Sequence, residues 1–144
     1  MSKWYHQKHT VEFWECDPSK TVYNSYYFVW FENARFAIAE EAGLFSYVEE
    51  FYNGDSEDRI IFPVLEAECK FLLPIPLGAR LIIRTKLEKP KLAQMVFRHV
   101  VTDEDTDEEY ASASTTVGIL SEKAGLLINL DEKIRRVIYN YLES

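Results

Sequence analysis

From Asn24 to Ala42 the chain runs without a glycine or a proline, and wound at about 100° per residue its apolar side chains point almost everywhere. Tyr26, Tyr27, Phe28, Val29, Trp30, Phe31, Ala34, Phe36, Ala37, Ile38 and Ala39 leave no broad polar stripe. Asn24 or Ser25 supplies an N-cap and Gly43 a stop, so the run predicts one helix. A helix apolar all round is one surrounded by protein. In a chain of 144 residues the enclosure to expect is a sheet wrapped about it. Asp17 stands just ahead of this aromatic run, unusual company for a carboxylate, and we read it as the reactive group. Asp-Pro also opens turns and caps helices, which is the plainer role for it.

Around the helix the pattern has period two. Within residues 3 to 15, Val11 and Phe13 alternate with Thr10, Glu12 and Trp14, which predicts a first strand. Residues 16 to 22 predict a tight connection, because Pro18 lacks an N–H and Ser19, Lys20 and Thr21 are polar. Residues 44 to 59 predict a loop with a short helical turn at Tyr47 to Phe51. Ile60 to Leu73 sets Val64, Glu66, Glu68 and Lys70 against Leu65, Ala67, Cys69 and Phe71, and closes on Pro74, Pro76 and Gly78. Residues 79 to 89 set Leu81, Ile83, Thr85 and Leu87 against Ile82, Arg84, Lys86 and Glu88. Residues 93 to 102 and 109 to 121 add two more strands, and the acidic stretch between them reads as a solvated hairpin tip. Asn129 or Asp131 caps a last helix through Leu142, with Ile134, Val137, Ile138 and Leu142 on one face. About five antiparallel strands and two helices make the class α+β.

Charge and composition narrow the function. A formal charge of -8 repels polyanions and argues against a nucleic-acid binder. No stretch approaches the roughly 20 apolar residues of a membrane span, and the N-terminus lacks a signal-peptide core, so a soluble cytoplasmic protein is expected. Cys16 and Cys69 show no metal-ligand or disulfide spacing, which predicts reduced thiols and no metal.

The order of elements and the residues themselves resemble the hotdog fold, a curved antiparallel sheet wrapped around a central helix, here as one domain over residues 1 to 144. The stretch from Asp17 to Arg35, through Val22, Tyr23, Tyr27, Glu32 and Ala34, is similar to the signature of the 4-hydroxybenzoyl-CoA thioesterase family. Cys16-Asp17-Pro18 has the form of the hydroxybenzoyl enzymes, and FPVLEAECKFLLPIPLGARLIIRTKLE resembles the family's central strands. Three positions depart from the pattern. Lys20 stands where the turn usually has Gly, so a residue with a Cβ must occupy that bend. Asn24 replaces a frequent His or Tyr, and Phe13 an occasional Tyr.

The resemblance implies an acyl-CoA thioesterase that needs no cofactor, with Asp17 as nucleophile or general base. The first amides of a helix lack partners and carry partial positive charge, so the N–H groups of Tyr23, Asn24 and Ser25 become candidate oxyanion donors. Tyr26, Tyr27, Trp30 and Phe31 are candidates for the acyl pocket, although they are first of all core. Arg59, Arg84, Lys89 and Lys91 are candidates for the coenzyme A phosphates, with Arg80, Lys70 and Arg98 also available. Relatives of this kind are homodimers or homotetramers with sites between subunits. His99, on a strand between Arg98 and Val100, is expected to be structural. The alternatives are a non-catalytic hotdog protein that binds acyl-CoA or serves in assembly, and a thioesterase acting on acyl carrier protein, for which the acidic surface is a poor match. The His-containing helix motif of hotdog hydratases is absent.

Overall fold

The computed structural model describes residues 3–46 and 58–144. The helical turn expected at Tyr47 to Phe51, with most of the loop around it, lies outside the described residues. In chain order the elements are β1 (Trp4–Thr10), α1 (Asn24–Ala42), β2 (Ile60–Ile61), β3 (Val64–Phe71), β4 (Arg80–Leu87), β5 (Met95–Asp103), β6 (Glu109–Val117), β7 (Leu120–Ser121), β8 (Gly125–Leu126) and α2 (Glu132–Glu143). Five strands form an antiparallel sheet in the order β1-β4-β5-β6-β3, and β2, β7 and β8 form a small second sheet.

Period-two patterning decides which face of the large sheet is covered. Leu81, Ile83, Thr85 and Leu87 on β4 are buried, as are Met95, Phe97, His99 and Val101 on β5. Across this face lies α1, contributing Tyr27, Trp30, Phe31, Ala34 and Ile38 at intervals of three and four residues. Its C-terminal half packs with Ile134 and Ile138 of α2, which Asp131 caps by accepting from the Lys133 amide at 2.8 Å.

Several expectations change. The helix is not enclosed within one chain: Phe28, Val29 and Phe36 remain 38%, 44% and 51% exposed, because the sheet covers only the stripe that faces it. The cap of α1 is Tyr23, not Asn24 or Ser25, and no side chain bonds the end; Gly43 does stop the helix, at φ 86°. The first strand ends at Thr10, not near residue 15. Glu12 and Glu15 close a single 3-10 turn over Phe13–Glu15, which turns Phe13 and Trp14 to solvent and Glu15 inward. Finally, a bulge between Val64 and Glu66 moves Val64 onto the face of Ala67, Cys69 and Phe71, where it lines a cavity with Met95, Phe97 and Val117.

Candidate active site

Asp17 sits in a turn built from its own neighbours. Its N–H donates to the Thr21 carbonyl and its carbonyl accepts from Lys20 N–H, both at 2.9 Å. Its carboxylate Oδ1 accepts from the Ser19 amide at 2.8 Å and from the Ser19 hydroxyl. The Ser19 hydroxyl, helped by the Ser19 and Thr21 amides, holds the carboxyl below the ordinary 3.8 despite partial desolvation. Asp17 is therefore ionised at neutral pH. The bend falls on Lys20, at φ 65°, a left-handed conformation that costs a residue with a Cβ but is adopted here without glycine. A neighbouring segment holds the turn: Ile75 accepts from Val22 N–H at 2.9 Å, and Leu77 N–H donates to the Lys20 carbonyl at 3.0 Å. Ile75 is fully buried, so that clamp is anchored in the core.

Beyond the turn the chain enters α1, and a cavity of about 340 Å³ opens between the two. Asp17, Thr21, Tyr23 and Asn24 line it on one side; Tyr27, Phe71, Leu72, Leu73 and Pro74 supply an apolar wall. The Tyr23 N–H is committed to the Glu15 carbonyl at 2.9 Å. Among the described residues, Asn24 and Ser25 are left with the helix-end amides that have no acceptor. Asp17, ionised, and Asn24, with its unpaired amide, thus line one cavity, and Ser25 follows one residue further along the helix. Cys16, beside Asp17, is no rival nucleophile: desolvation and the carboxylates of Glu15 and Asp17 hold its thiol above the ordinary 9.0.

Of the aromatic candidates, only Tyr27 lines this cavity. Trp30 and Phe31 point down into the sheet, 2% and 0% exposed, and Tyr26 packs its edge on Trp14 at 5.5 Å. The reason is helical spacing, which opens only the first turn of the sheet-facing stripe to the cavity. No Lys or Arg lines it among the described residues. Arg84 donates to Thr102 Oγ1 at 2.7 Å, and Lys89 borders a separate groove with Lys3 and Lys86. Arg59 faces Ile61, Leu120 and Glu122, and Lys91 lies in a turn whose backbone bridges to Gln94.

The sequence profile of the thioesterase-like superfamily matches residues 11–138. The chain belongs to that superfamily. Its fold is the hotdog, shared with YbaW, a probable thioesterase from Escherichia coli, at a TM-score of 0.81 and 20% identity over 95% of this chain and 98% of that one. Slr0204 from Synechocystis, a 1,4-dihydroxy-2-naphthoyl-CoA thioesterase, is similar at TM-score 0.78 and 14% identity, covering 96% and 97%. TT1821, a hypothetical protein from Thermus thermophilus, gives TM-score 0.76 and 27% identity, covering 96% and 98%. No curated protein matches the chain in sequence.

On this hotdog scaffold, several residues around Asp17 carry no signal in the sequence. Ser19, which holds Asp17, reads as an ordinary turn residue. Phe71 to Pro74 read as the end of a strand, yet they form the far wall of the cavity. Glu15 and His9 have no role assigned from sequence; the structure brings them together, His9 Nε2 lying 2.7 and 2.9 Å from the two Glu15 carboxylate oxygens. The one available signal was the capping-box spacing of Glu12 and Glu15.

Proposed function

We propose that this member of the superfamily hydrolyses acyl-CoA thioesters, with Asp17 as its catalytic carboxylate and the Asn24 and Ser25 amides as oxyanion donors. The observation that carries the reading is the meeting of ionised Asp17 with the start of α1 at a single cavity. A thioester carbonyl seated there would meet both a negative oxygen to attack it, or to orient water, and N–H groups aimed at the charge that develops. The apolar wall of Tyr27, Phe71, Leu72, Leu73 and Pro74 suits the acyl group.

Self-association is part of the reading. The helix face of Phe28 and Phe36 and the edge strand β3, with Val64, Leu65 and Phe71 at 49%, 41% and 48% exposure, present apolar surface, and Phe71 also belongs to the wall of the cavity. A second copy covering that surface would complete the pocket and bring cations for the coenzyme A phosphates, which the cavity lacks among the described residues.

The test is thiol release from a panel of aliphatic and aromatic acyl-CoAs, compared between wild type and Asp17→Asn. The expected loss in kcat is about 100-fold or more. A folded Asp17→Asn protein that hydrolyses thioesters at the wild-type rate would show the assignment to be wrong.

A further inference from the structure

Glu15 is 1% exposed, and its carboxylate meets a donor from each of three elements. From the end of β1, His9 Nε2 lies 2.7 and 2.9 Å from its two oxygens. The Glu12 amide, at the entry to the 3-10 turn, donates to Oε1 at 2.8 Å, and Trp30 Nε1 of α1 donates to Oε2 at 2.8 Å. Amide and indole N–H groups only donate, so the site demands a group that accepts on both oxygens. A buried acid placed this way is costly unless every one of those bonds is made. Its main chain takes part too, because the Glu15 carbonyl accepts from the N–H of Tyr23, the cap of α1.

Asp17 lies two residues further on, and Asn24 one residue after Tyr23. We propose that Glu15 is a positioning residue: tied to α1 through Trp30 and Tyr23, and to β1 through His9, it fixes the gap between the Asp17 carboxylate and the helix-end amides. The inference rests on the catalytic reading of Asp17 and deepens it. Displacements of about 1 Å at a reacting pair can cost about 100-fold in rate, so a clamp two residues from the carboxylate is a sensitive place to lose a bond. The substrate wall of Phe71 to Pro74 is held from elsewhere, by the Tyr110 carbonyl accepting from Leu72 and Leu73 N–H at 2.9 and 3.2 Å. Loosening Glu15 should therefore affect the chemical step more than binding.

Glu15→Gln preserves length but sets an NH2 against N–H donors. The expected result is kcat lower by about 10-fold to 100-fold, with KM within about twofold, in protein whose circular dichroism is unchanged. Trp30→Phe keeps the packing and removes one donor, and is expected to lower kcat in the same sense by several-fold; it serves if the glutamine variant does not fold. Each change is then made in the Asp17→Asn background and thiol release is followed at enzyme excess. There the effect should vanish, because no carboxylate remains to be placed. Folded Glu15→Gln and Trp30→Phe proteins with wild-type kcat overturn the inference and leave the role of Asp17 standing. An equal loss in both backgrounds also overturns it. Wild-type turnover by Asp17→Asn alone removes the catalytic reading of Asp17, and this inference with it.

Discussion

His99 makes the stability of this protein depend on pH in a way that can be worked from its surroundings. It lies on β5 beneath α1, 1% exposed, with its ring stacked 4.3 Å from that of Phe31. Nδ1 lies 2.9 Å from Thr85 Oγ1 and Nε2 3.1 Å from Thr115 Oγ1, and Arg35 donates to the same Thr115 hydroxyl at 3.4 Å. Burial first, and then the charge of Arg35, push its pKa from 6.5 down to about 3. Between those values the unfolded chain binds a proton that the folded chain refuses. Stability is therefore complete above pH 6.5 and is lost as pH falls toward 3. The slope is about 1.4 kcal/mol per pH unit, so at pH 5 the loss from this one residue is about 2 kcal/mol. His99→Gln keeps one donor and one acceptor but gives up the stack on Phe31, and should be less stable than wild type by about 1 to 2 kcal/mol at pH 7.5. Urea unfolding at pH 7.5 and 5.0, at one protein concentration because association would shift apparent stability, measures both proteins. The wild-type advantage should shrink by about 2 kcal/mol at the lower pH. Contributions from carboxylates held low, such as Asp58 and Asp103, cancel in the difference. Parallel losses in the two proteins would refute the argument.

Two further outcomes follow from particular residues. Lys20→Gly removes a Cβ from a left-handed position, at φ 65°, and should stabilise the folded chain by about 0.5 kcal/mol, the relief of strain outweighing the added freedom of the unfolded glycine; a fall in melting temperature would contradict this. Phe36→Glu, at a half-exposed position on the helix face beside β3, should leave the single chain folded and shift sedimentation toward monomer. Forfeiting about 2 kcal/mol of apolar burial per chain is the expected cost, and an unchanged oligomer would place the interface elsewhere.

Much of the fold was legible because it rests on local patterning. The bounds of α1, its glycine stop, the period-two faces of β4 and the amphipathic α2 all follow from side-chain spacing and from residues that cap or break elements. The candidate carboxylate was legible as well, since Asp17 precedes the helix in the chain. The motif from Asp17 to Arg35 also carried membership of the superfamily. The bulge at Val64 and the early end of β1 were hidden, because each depends on partners distant in sequence or on a carboxylate that turns inward. Glu15 shows the difficulty: nothing in FWECDP distinguishes a solvated glutamate from one that anchors three elements.

The apolar run that first constrained the chain marks the same boundary. By itself the sequence determined that residues 24 to 42 form a helix with no polar face and that an acid stands ahead of it, because helix formation and capping are decided within a few residues. Only the tertiary structure decided which side of that helix the sheet covers, which amides at its start remain unpaired, and which aromatic rings reach the cavity. Those outcomes depend on strands far along the chain closing over the helix, and on Pro74 to Gly78 returning to grip the turn that holds Asp17. The face of Phe28 and Phe36 that one chain leaves open is the part of the pattern a single chain does not satisfy.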